Sequence, residues 1–372
     1  MLSFKKLILL AVVYGYALFY GRAVQVPSRV QNVLVVQMAK LGDMVCTTPV
    51  FNALKKHDPS IRVTVLGNAL NKEVLEGNPD VDSYIVFSSP KEVLHAIASQ
   101  NFDAAILTGG PDFMSTALAY LAHIPCIVVP EIKAGFSPLY DGWFRVLSKL
   151  LIRVPHHMGT YAPREYLRLL EPLGIHAEAT NKFVFSTTGA IERMTKRVGV
   201  LKQPRVGIAP GAGNKIKEWP PERFAELADR LAAQHNASIL VFGTDGDAEA
   251  LNGFYSALAP TTVVESMQGI TVDELKASIG MLNLFISADT GPIYIAEAQG
   301  IPTIDIVGPI DEREQPPIGP YHMVVVPEGR TEPALRLMRA KVYDKKEARC
   351  QARATTVDQV WSVCEDMLKT IV

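Results

Sequence analysis

The stretch VGIAPGAGNKIKEWPPERF, which runs from Val206 to Phe224, joins a bare backbone turn to two cations. An apolar run ends at Pro210, the small residues Gly211, Ala212 and Gly213 follow, and Lys215 and Lys217 come before a Pro-Pro pair that predicts a helix start. Backbone N–H groups near a helix N-terminus favour an anion, and the lysines add charge. The alternative is a solvated loop with ordinary lysines, because the turn is neither a P-loop nor a GxGxxG motif.

A second stretch with candidate chemistry is QMAKLGDMVCTTP, after the first apolar run of the chain. Gly42 permits a tight turn or a close backbone approach, and Asp43 follows it near a predicted helix start. Asp43 is either a helix cap or a carboxylate that acts as a general base. Lys40 is placed to keep that carboxylate ionised or to bind an anionic acceptor.

A third stretch, ISADTGPIYIAEAQGIP, places Asp289, Thr290 and Gly291 between a buried strand and a helix with proline in its first turn. It builds a second helix N-terminus at a strand end. Asp289 or Thr290 could serve as a cap only, but two such anion sites in one domain favour a phosphate-bearing ligand.

Metal, disulfide and nucleic-acid functions are disfavoured. The acids of TDGD, residues 244–247, read as a polar loop, and the His156-His157 pair reads as a surface loop because no carboxylate or cysteine lies at metal spacing. The four cysteines are scattered and predict reduced thiols. A net charge of −1 gives no field for nucleic acid.

The elements that must position these loops alternate along the chain. Apolar strands and amphipathic helices follow one another from residue 33, are interrupted by two helical stretches over 136–173, and resume after 203. This alternation predicts an α/β protein with parallel sheets covered by helices. The length of 372 residues fits two Rossmann-like domains, 29–190 and 191–372, whose ligands bind in a cleft at the strand ends. The final helix packs in the second domain or back on the first.

Residues 1–28 form a separate apolar segment in this interpretation. Lys5 and Lys6 precede an apolar run from Leu7 to Gly21, which Arg22 and Ala23-Val24 could lengthen toward a membrane span. The run has no partner in the alternating pattern, so we expect a membrane anchor outside the folded core. An interfacial helix, a signal peptide and a core helix are the alternatives.

Three stretches together resemble glycosyltransferase family 9, the ADP-heptose:lipopolysaccharide heptosyltransferases. They are VLVVQMAKLGDMVCTTPVFNALKKHDPSIRVTVLG, IAPGAGNKIKEWPPERFAELADRL and FISADTGPIYIAEAQGIPTIDIVGP, in this order, and the resemblance covers residues 31–370. It implies the GT-B fold, with two Rossmann-like domains and the active site between them. It also implies inverting, metal-independent transfer of a sugar, heptose from ADP-heptose, to a lipopolysaccharide or related glycan at the cytoplasmic face of the membrane.

The resemblance also implies roles for single residues. Asp43 matches the family's catalytic base, and Lys217 the lysine on the donor phosphates. Lys40, Gly42 and the turn Gly211, Ala212 and Gly213 join them as substrate contacts, and so do Asp289, Thr290 and Gly291 of the Asp-Thr-Gly motif. Asp245 falls near the nucleoside and Met267 near the nucleobase. The motif departs from the family at Tyr294, where a histidine is usual.

Three other functions stay open on the sequence. The same fold could use another nucleotide-sugar, since Tyr294 replaces a histidine near the diphosphate. A membrane-tethered protein that binds a nucleotide or sugar without catalysis is the second, although Asp43 beside an intact donor loop disfavours it. An NAD(P)-dependent oxidoreductase is the third, and the absence of GxGxxG after the first strand disfavours it.

Overall fold

A computed structural model describes residues 2–20, 25–109, 112–132, 142–337 and 343–371 of the chain. These residues form two compact units: those up to 181 belong to the first, and 182–337 with 343–371 belong to the second. The second unit therefore begins nine residues before the predicted boundary at 191 (191 − 182). Each unit is built on a parallel six-stranded sheet with helices packed on it.

The N-terminal unit has its strands in the order β3-β2-β1-β4-β5-β6, all parallel. The order reverses between β1 and β4, and in such sheets ligands bind at that reversal, beyond the carboxyl ends of the strands. The strands are β1 (Asn32–Gln37), β2 (Arg62–Gly67), β3 (Ser83–Val86), β4 (Ala104–Leu107), β5 (Cys126–Ile132) and β6 (Ile152–His156). The helices are α1 (Leu2–Tyr20), α2 (Leu41–His57), α3 (Ala69–Leu75), α4 (Pro90–Ala98), α5 (Phe113–Leu121), α6 (Gly142–Leu147) and α7 (Ala162–Arg168).

The C-terminal unit repeats this topology in the order β12-β11-β10-β7-β8-β9, again all parallel. Its reversal lies between β7 and β10. The strands are β7 (Arg205–Ala209), β8 (Ser238–Val241), β9 (Val264–Ser266), β10 (Leu284–Ala288), β11 (Thr303–Ile306) and β12 (His322–Val325). The helices are α8 (Thr188–Arg197), α9 (Pro221–His235), α10 (Ala248–Ala257), α11 (Val272–Ile279), α12 (Gly291–Ala298), α13 (Lys345–Ala354) and α14 (Val357–Ile371).

The predicted alternation of strands and helices is confirmed, but α8 and three further elements were not predicted. β6 contains Pro155 and directly follows a helical stretch, so its sequence does not look like that of a buried strand. β12 is short and directly follows a Gly-Pro-Tyr turn, so it was not recognised either. α13 buries only Ala348, Gln351 and Ala352, which is too small and polar a stripe to give a helical period of apolar residues. α14 packs within the C-terminal unit, against α9, β11 and β12.

The expectation that the N-terminal segment lies outside the folded core is wrong, because α1 packs into the N-terminal unit. α1 is a helix of 19 residues whose Val13 is fully buried, with Leu10 and Phe144, in the core of the N-terminal unit. The Tyr14 hydroxyl also donates to the Val146 carbonyl at 2.7 Å. The inner side of α1 is no more apolar than its outer side, so the sequence carried no period that marks the packed side.

Across the described residues, no helix combines the length and the apolar character that crossing a bilayer requires. The residues predicted to lengthen the span, Arg22 and Ala23-Val24, lie outside the described part of the chain.

The packing of α1 can be tested by making the same valine-to-alanine change at two adjacent positions, one buried and one exposed. Val13 has no exposed surface, whereas Val12 is 51% exposed. We expect Val13→Ala to lower the free energy of unfolding by about 1.5–3 kcal/mol, because it removes buried methyl groups and leaves a cavity. Val12→Ala should change it by less than about 0.5 kcal/mol. Urea unfolding of the full chain measures both, and equal small effects would show that α1 does not contribute to the core.

Candidate functional site

The loop between β1 and α2 carries the predicted base. Asp43 is the third residue of α2 and is half-buried, and its carboxylate accepts the N–H of Lys40, the residue before the helix, at 3.2 Å. Asp43 therefore makes a helix-start contact, as the capping interpretation requires, although it is not the cap residue itself. Gly42 is buried with helical backbone in the first turn of α2, so it does not form the tight turn that the sequence allowed.

The β1–α2 loop is held by a buried amide that sequence analysis missed. The Gln37 side chain donates to Thr47 at 3.0 Å and to Thr108 at 3.3 Å, and it accepts the N–H of Ala39 at 3.1 Å. Gly109, with φ +69°, leaves the room for this amide, because a Cβ there would lie 2.7 Å from it. A buried glutamine at the end of an apolar strand is the signal that could have identified it.

Two asparagines hold the same loop from the other side. Asn68 and Asn71, at the start of α3, both donate to the Ala39 carbonyl, at 3.0 and 2.9 Å. The backbone that leads to Lys40 and Asp43 is thus fixed by neutral hydrogen bonds from two neighbouring elements.

In the C-terminal unit, two predicted loops meet because their strands are neighbours. β7 and β10 pair in register, with Ala209 opposite Ser287, so the loops that follow leave the sheet side by side. The Lys217 ammonium lies 2.5 Å from the Asp289 carboxylate and joins the two loops. Asp289 is 3% exposed, while the Lys217 side chain keeps 21% of its surface accessible. This ion pair brings together the cation and the acid that the sequence placed in separate motifs.

Tyr294, at the position where the family usually has histidine, lies beneath this ion pair. Its ring is 2% exposed, and its hydroxyl donates to the other carboxylate oxygen of Asp289. The Lys182 ammonium lies 5.6 Å from the centre of the Tyr294 ring and pairs with Glu297 of α12. Sequence analysis missed Lys182 and Glu297, which lie 115 residues apart.

The other lysine of the turn has different partners. Lys215 pairs with Glu218 at 2.8 Å and with Asp247 at 3.1 Å. Glu218 also accepts the Ala212 N–H at 3.0 Å, so this predicted anion donor already binds a carboxylate. Gly211 is required where it stands, because a Cβ would lie 2.6 Å from the Asp247 side chain.

The remaining predicted contacts lie around these two loops. Thr290 takes the cap position of α12 without a side-chain cap hydrogen bond, and Gly291 is the first helical residue. Asp245 is exposed at the start of a short 3-10 turn. Met267 is 1% exposed, and its N–H donates to the Val241 carbonyl. Gly213 is exposed at the rim of the turn.

The histidine pair is not the simple surface loop that we expected. The His156 side chain is 5% exposed and lies 3.6 Å from the buried Glu165, which also accepts from Arg168 at 3.0 Å. Burial lowers the pKa of His156, against the nearby charge of Glu165. His157 is exposed, as predicted. Within the described residues, no group of three or more His, Cys, Asp or Glu side chains is arranged to hold a metal ion.

Comparison with known proteins decides the family. Residues 91–343, more than half of the chain, match Glycosyltransferase family 9 (heptosyltransferase). The chain belongs to this family. It is therefore a glycosyltransferase, and the resemblance seen in its motifs is confirmed.

The relatives of this glycosyltransferase agree with that assignment. Lipopolysaccharide heptosyltransferase 3 of Escherichia coli K12 is 28% identical over 291 residues, which is 73% of this chain and 80% of the relative. The family 9 structure from Veillonella parvula aligns with a TM-score of 0.75 and 21% identity over 91% of this chain and 98% of the other. The E. coli heptosyltransferase WaaC, solved with ADP-2-deoxy-2-fluoro heptose, aligns with a TM-score of 0.63 and 18% identity over 90% of this chain and 99% of the other. These structures share its two-sheet α/β fold.

A second carboxyl group of this glycosyltransferase lies buried in β11, next to β10. Asp305 has no exposed surface, and neither of its carboxylate oxygens has a hydrogen-bond partner in the described part of the chain. Burial, together with the negative charge of Asp289, raises the pKa of Asp305 well above its ordinary value. Asp305 therefore keeps its proton where an ordinary carboxyl group would lose it. A single acid inside the apolar run PTIDIVG is the signal that could have identified it.

Asp305→Asn tests this protonation through the pH dependence of stability. The folded wild-type chain keeps a proton that the unfolded chain releases, so its free energy of unfolding falls as pH rises above about 4, by at most about 1.4 kcal/mol per pH unit. The asparagine variant lacks this loss, and we expect its stability relative to wild type to grow as pH rises from about 4 to 8. Urea unfolding across this range measures the difference.

Asp273→Asn is the matched control. Partial burial alone would raise the pKa of Asp273, but hydrogen bonds from Thr187 and the charge of Lys276 hold it below its ordinary value. The contribution of Asp273 to the free energy of unfolding changes only as pH falls below about 4. The difference in unfolding free energy between this variant and wild type should therefore stay constant above pH about 5. A flat difference for Asp305→Asn as well would contradict the raised pKa.

Proposed function

We propose that this enzyme transfers heptose from ADP-heptose to a lipopolysaccharide or related glycan acceptor, with inversion and without a metal ion. The ion pair between Lys217 and Asp289, at adjoining strand ends of the C-terminal unit, is the observation that carries the proposal. The relatives support the choice of sugar, since one is named a lipopolysaccharide heptosyltransferase and another was solved with an ADP-heptose analogue.

The donor diphosphate binds at the two loops that Lys217 and Asp289 join. Lys217 is partly exposed, so its ammonium can turn from Asp289 to a phosphate oxygen without leaving the loop. The N-terminus of α12, at Thr290 and Gly291, adds a favourable dipole for the same anion. When the sugar–phosphate bond breaks, ADP gains negative charge, and Lys217 stabilises that charge in place of a metal ion.

Asp43 of the N-terminal unit is the general base. The acceptor oxygen forms a bond to the anomeric carbon, its proton passes to the Asp43 carboxylate, and ADP leaves with the electron pair of the broken C–O bond. A single displacement from the face opposite ADP inverts the anomeric configuration. The Gln37 network fixes the loop, and its hydrogen bonds do not use the Asp43 carboxylate. Lys40 lies beside it and binds an anionic acceptor.

Tyr294 positions Asp289 in this scheme and does not touch the donor. Its hydroxyl is committed to Asp289 in a buried site, so the phosphates meet Lys217 and backbone groups where relatives with histidine present an imidazole. Gly211, Gly213, Asp245 and Met267 lie around the same loops and line the nucleotide side of the site. Nucleotide-sugars are made in the cytosol, so we place the reaction at the cytoplasmic face of the membrane.

Two alternatives are distinguished by nucleotide binding. A family member that uses another nucleotide-sugar would prefer UDP or GDP to ADP, and a non-catalytic protein would bind a nucleotide without turning over ADP-heptose. Calorimetric titration with ADP, UDP, GDP and NAD, followed by an assay of ADP release with a lipopolysaccharide acceptor, separates them. The proposal requires ADP to bind most tightly and its release to depend on the acceptor.

The two lysines of the donor turn form a matched pair for the phosphate contact. We expect Lys217→Ala to weaken ADP binding by about 1.5–3 kcal/mol, the range for a hydrogen bond to a charged group, and to slow transfer. Lys215→Ala should cost much less, because Lys215 is already shared between Glu218 and Asp247. Calorimetry measures the ADP affinity of both variants. Equal losses of affinity would show that Lys217 is not the lysine that specifically contacts the donor phosphate.

The variant Asp43→Asn distinguishes a catalytic role of Asp43 as general base from a structural role at the start of α2. Asparagine keeps an oxygen for the Lys40 N–H, so the helix start survives while the base is lost. We expect turnover to fall by about 10²–10⁴ with ADP affinity nearly unchanged. Asp103→Asn is the control, and its turnover should stay normal. Asp103 accepts two N–H groups at 2.7 Å at the amino ends of the central strands, opposite the strand ends that carry Asp43. Near-normal turnover in Asp43→Asn would leave Asp43 with the helix start only.

A further inference from the structure

One side of α1 is apolar along its whole length and faces away from the protein. The large apolar side chains on this side recur at helical spacing. Their exposed fraction is highest at the C-terminal end, where Leu18 is 83% and Phe19 is 89% exposed. We call this the outer face of α1. Its members are Phe4, Leu7, Ile8, Val12, Leu18 and Phe19.

The polar side chains of α1 that the structure describes are turned away from the outer face or lie at its edge. The Tyr14 hydroxyl donates to Val146, and Tyr16 bonds to His123 of the N-terminal unit. The Lys6 ammonium lies 5.7 Å from the centre of the Phe113 ring, against the protein. Lys5 is exposed beside Phe4, near the N-terminal end. The outer face therefore offers hydrocarbon over the length of the helix, which is about 28 Å.

Within the described residues, the charged side chains of α1 and α6 are all positive; α5, which also packs against α1, begins at Asp112, whose carboxylate caps that helix by accepting the Ser115 N–H. Asp43 is the first acidic residue in the sequence, so none accompanies Lys5 and Lys6 along α1. α6 packs against α1, and over residues 142–150 it and the turn after it contribute the exposed cations Arg145 and Lys149 and no acid. Val146 of α6 adds a further exposed apolar side chain. An apolar stripe with a cationic border complements an anionic surface with hydrocarbon beneath it.

The size of the outer face argues against a second copy of the chain as its occupant. A stripe about 28 Å long and about 10 Å wide covers roughly 300 Å². A stable protein interface buries about 800 Å² on each partner. The outer face alone is therefore too small for a stable dimer, whereas a bilayer needs no matching partner surface.

We propose that the outer face of α1 lies in the headgroup region of an anionic phospholipid bilayer, with the helix axis parallel to the membrane plane. The parallel orientation follows from the packing of the opposite side, since α1 could leave the protein only by exposing Val13 and Leu10. Lys5, Arg145 and Lys149 meet the phosphates, and Phe4 and Phe19 enter the acyl boundary. This proposal does not depend on the sugar or the nucleotide that the enzyme uses.

Flotation of the full-length chain with vesicles tests the proposal. The vesicles contain phosphatidylcholine with or without phosphatidylglycerol, and they contain no glycan, so binding cannot occur through the acceptor site. We expect the wild type to float with the phosphatidylglycerol vesicles and less with phosphatidylcholine alone. The double variant Leu18→Glu and Phe19→Glu should lose about tenfold in partitioning, because two charges then lie in the apolar stripe. Lys5→Gln should weaken binding to the anionic vesicles only.

The matched control is the double variant Val200→Glu and Val263→Glu in the C-terminal unit. These side chains are 77% and 86% exposed, so the variant adds the same two charges at similar exposure and should float like the wild type. Thermal unfolding and ADP affinity of both double variants should match the wild type, which shows that folding and the donor site are intact. The milder Phe19→Gln should weaken flotation in the same direction.

Three outcomes would overturn the proposal. The first is a wild-type chain that stays unbound with both kinds of vesicle. The second is an outer-face variant that floats as well as the wild type. The third is a dimer in sedimentation velocity that the Leu18→Glu and Phe19→Glu changes dissociate while neither form floats, since a second copy would then cover the outer face.

Discussion

The ion pair between Lys217 and Asp289 is the interaction on which the donor site depends. A nearly buried carboxylate loses its hydration and needs a cation or hydrogen bonds in exchange. Asp289 receives both, from Lys217 in one loop and from the Tyr294 hydroxyl in α12. The two loops are therefore joined before any ligand arrives. A bound diphosphate can then compete with Asp289 for one lysine that is already in place, which lowers the cost of ordering the site.

The buried Asp305 fits the same electrostatic arrangement. A second ionised carboxylate next to Asp289 would repel it and compete for Lys217, and the raised pKa of Asp305 avoids this. The N-terminal loop is constructed differently, since Gln37, Asn68 and Asn71 hold it with neutral hydrogen bonds. These hydrogen bonds fix the loop that carries Asp43.

The sequence predicts the strands and the loops that carry the chemistry, because a buried parallel strand is a continuous apolar run and its carboxyl end is where the polar residues begin. It therefore places Lys217, Asp289 and Asp43 at strand ends. It does not distinguish Lys217 from Lys215 by physics, since both flank one short turn and their partners lie 72 and 32 residues away. Asp305 escapes for the same reason, because its surroundings arise from the pairing of β11 with β10. The sequence places Tyr294 five residues from Asp289 but does not show that its hydroxyl donates to that carboxylate. The inner side of α1 escapes because it is no more apolar than the outer face.

The most direct test of the donor site compares ADP with AMP in two proteins. If Lys217 contacts the second phosphate, calorimetry should show wild type binding ADP more tightly than AMP, and Lys217→Ala should reduce that difference by about 1.5–3 kcal/mol while AMP affinity changes little. An unchanged difference between ADP and AMP in Lys217→Ala would contradict the account, because the lysine would then hold the loops together without binding the diphosphate.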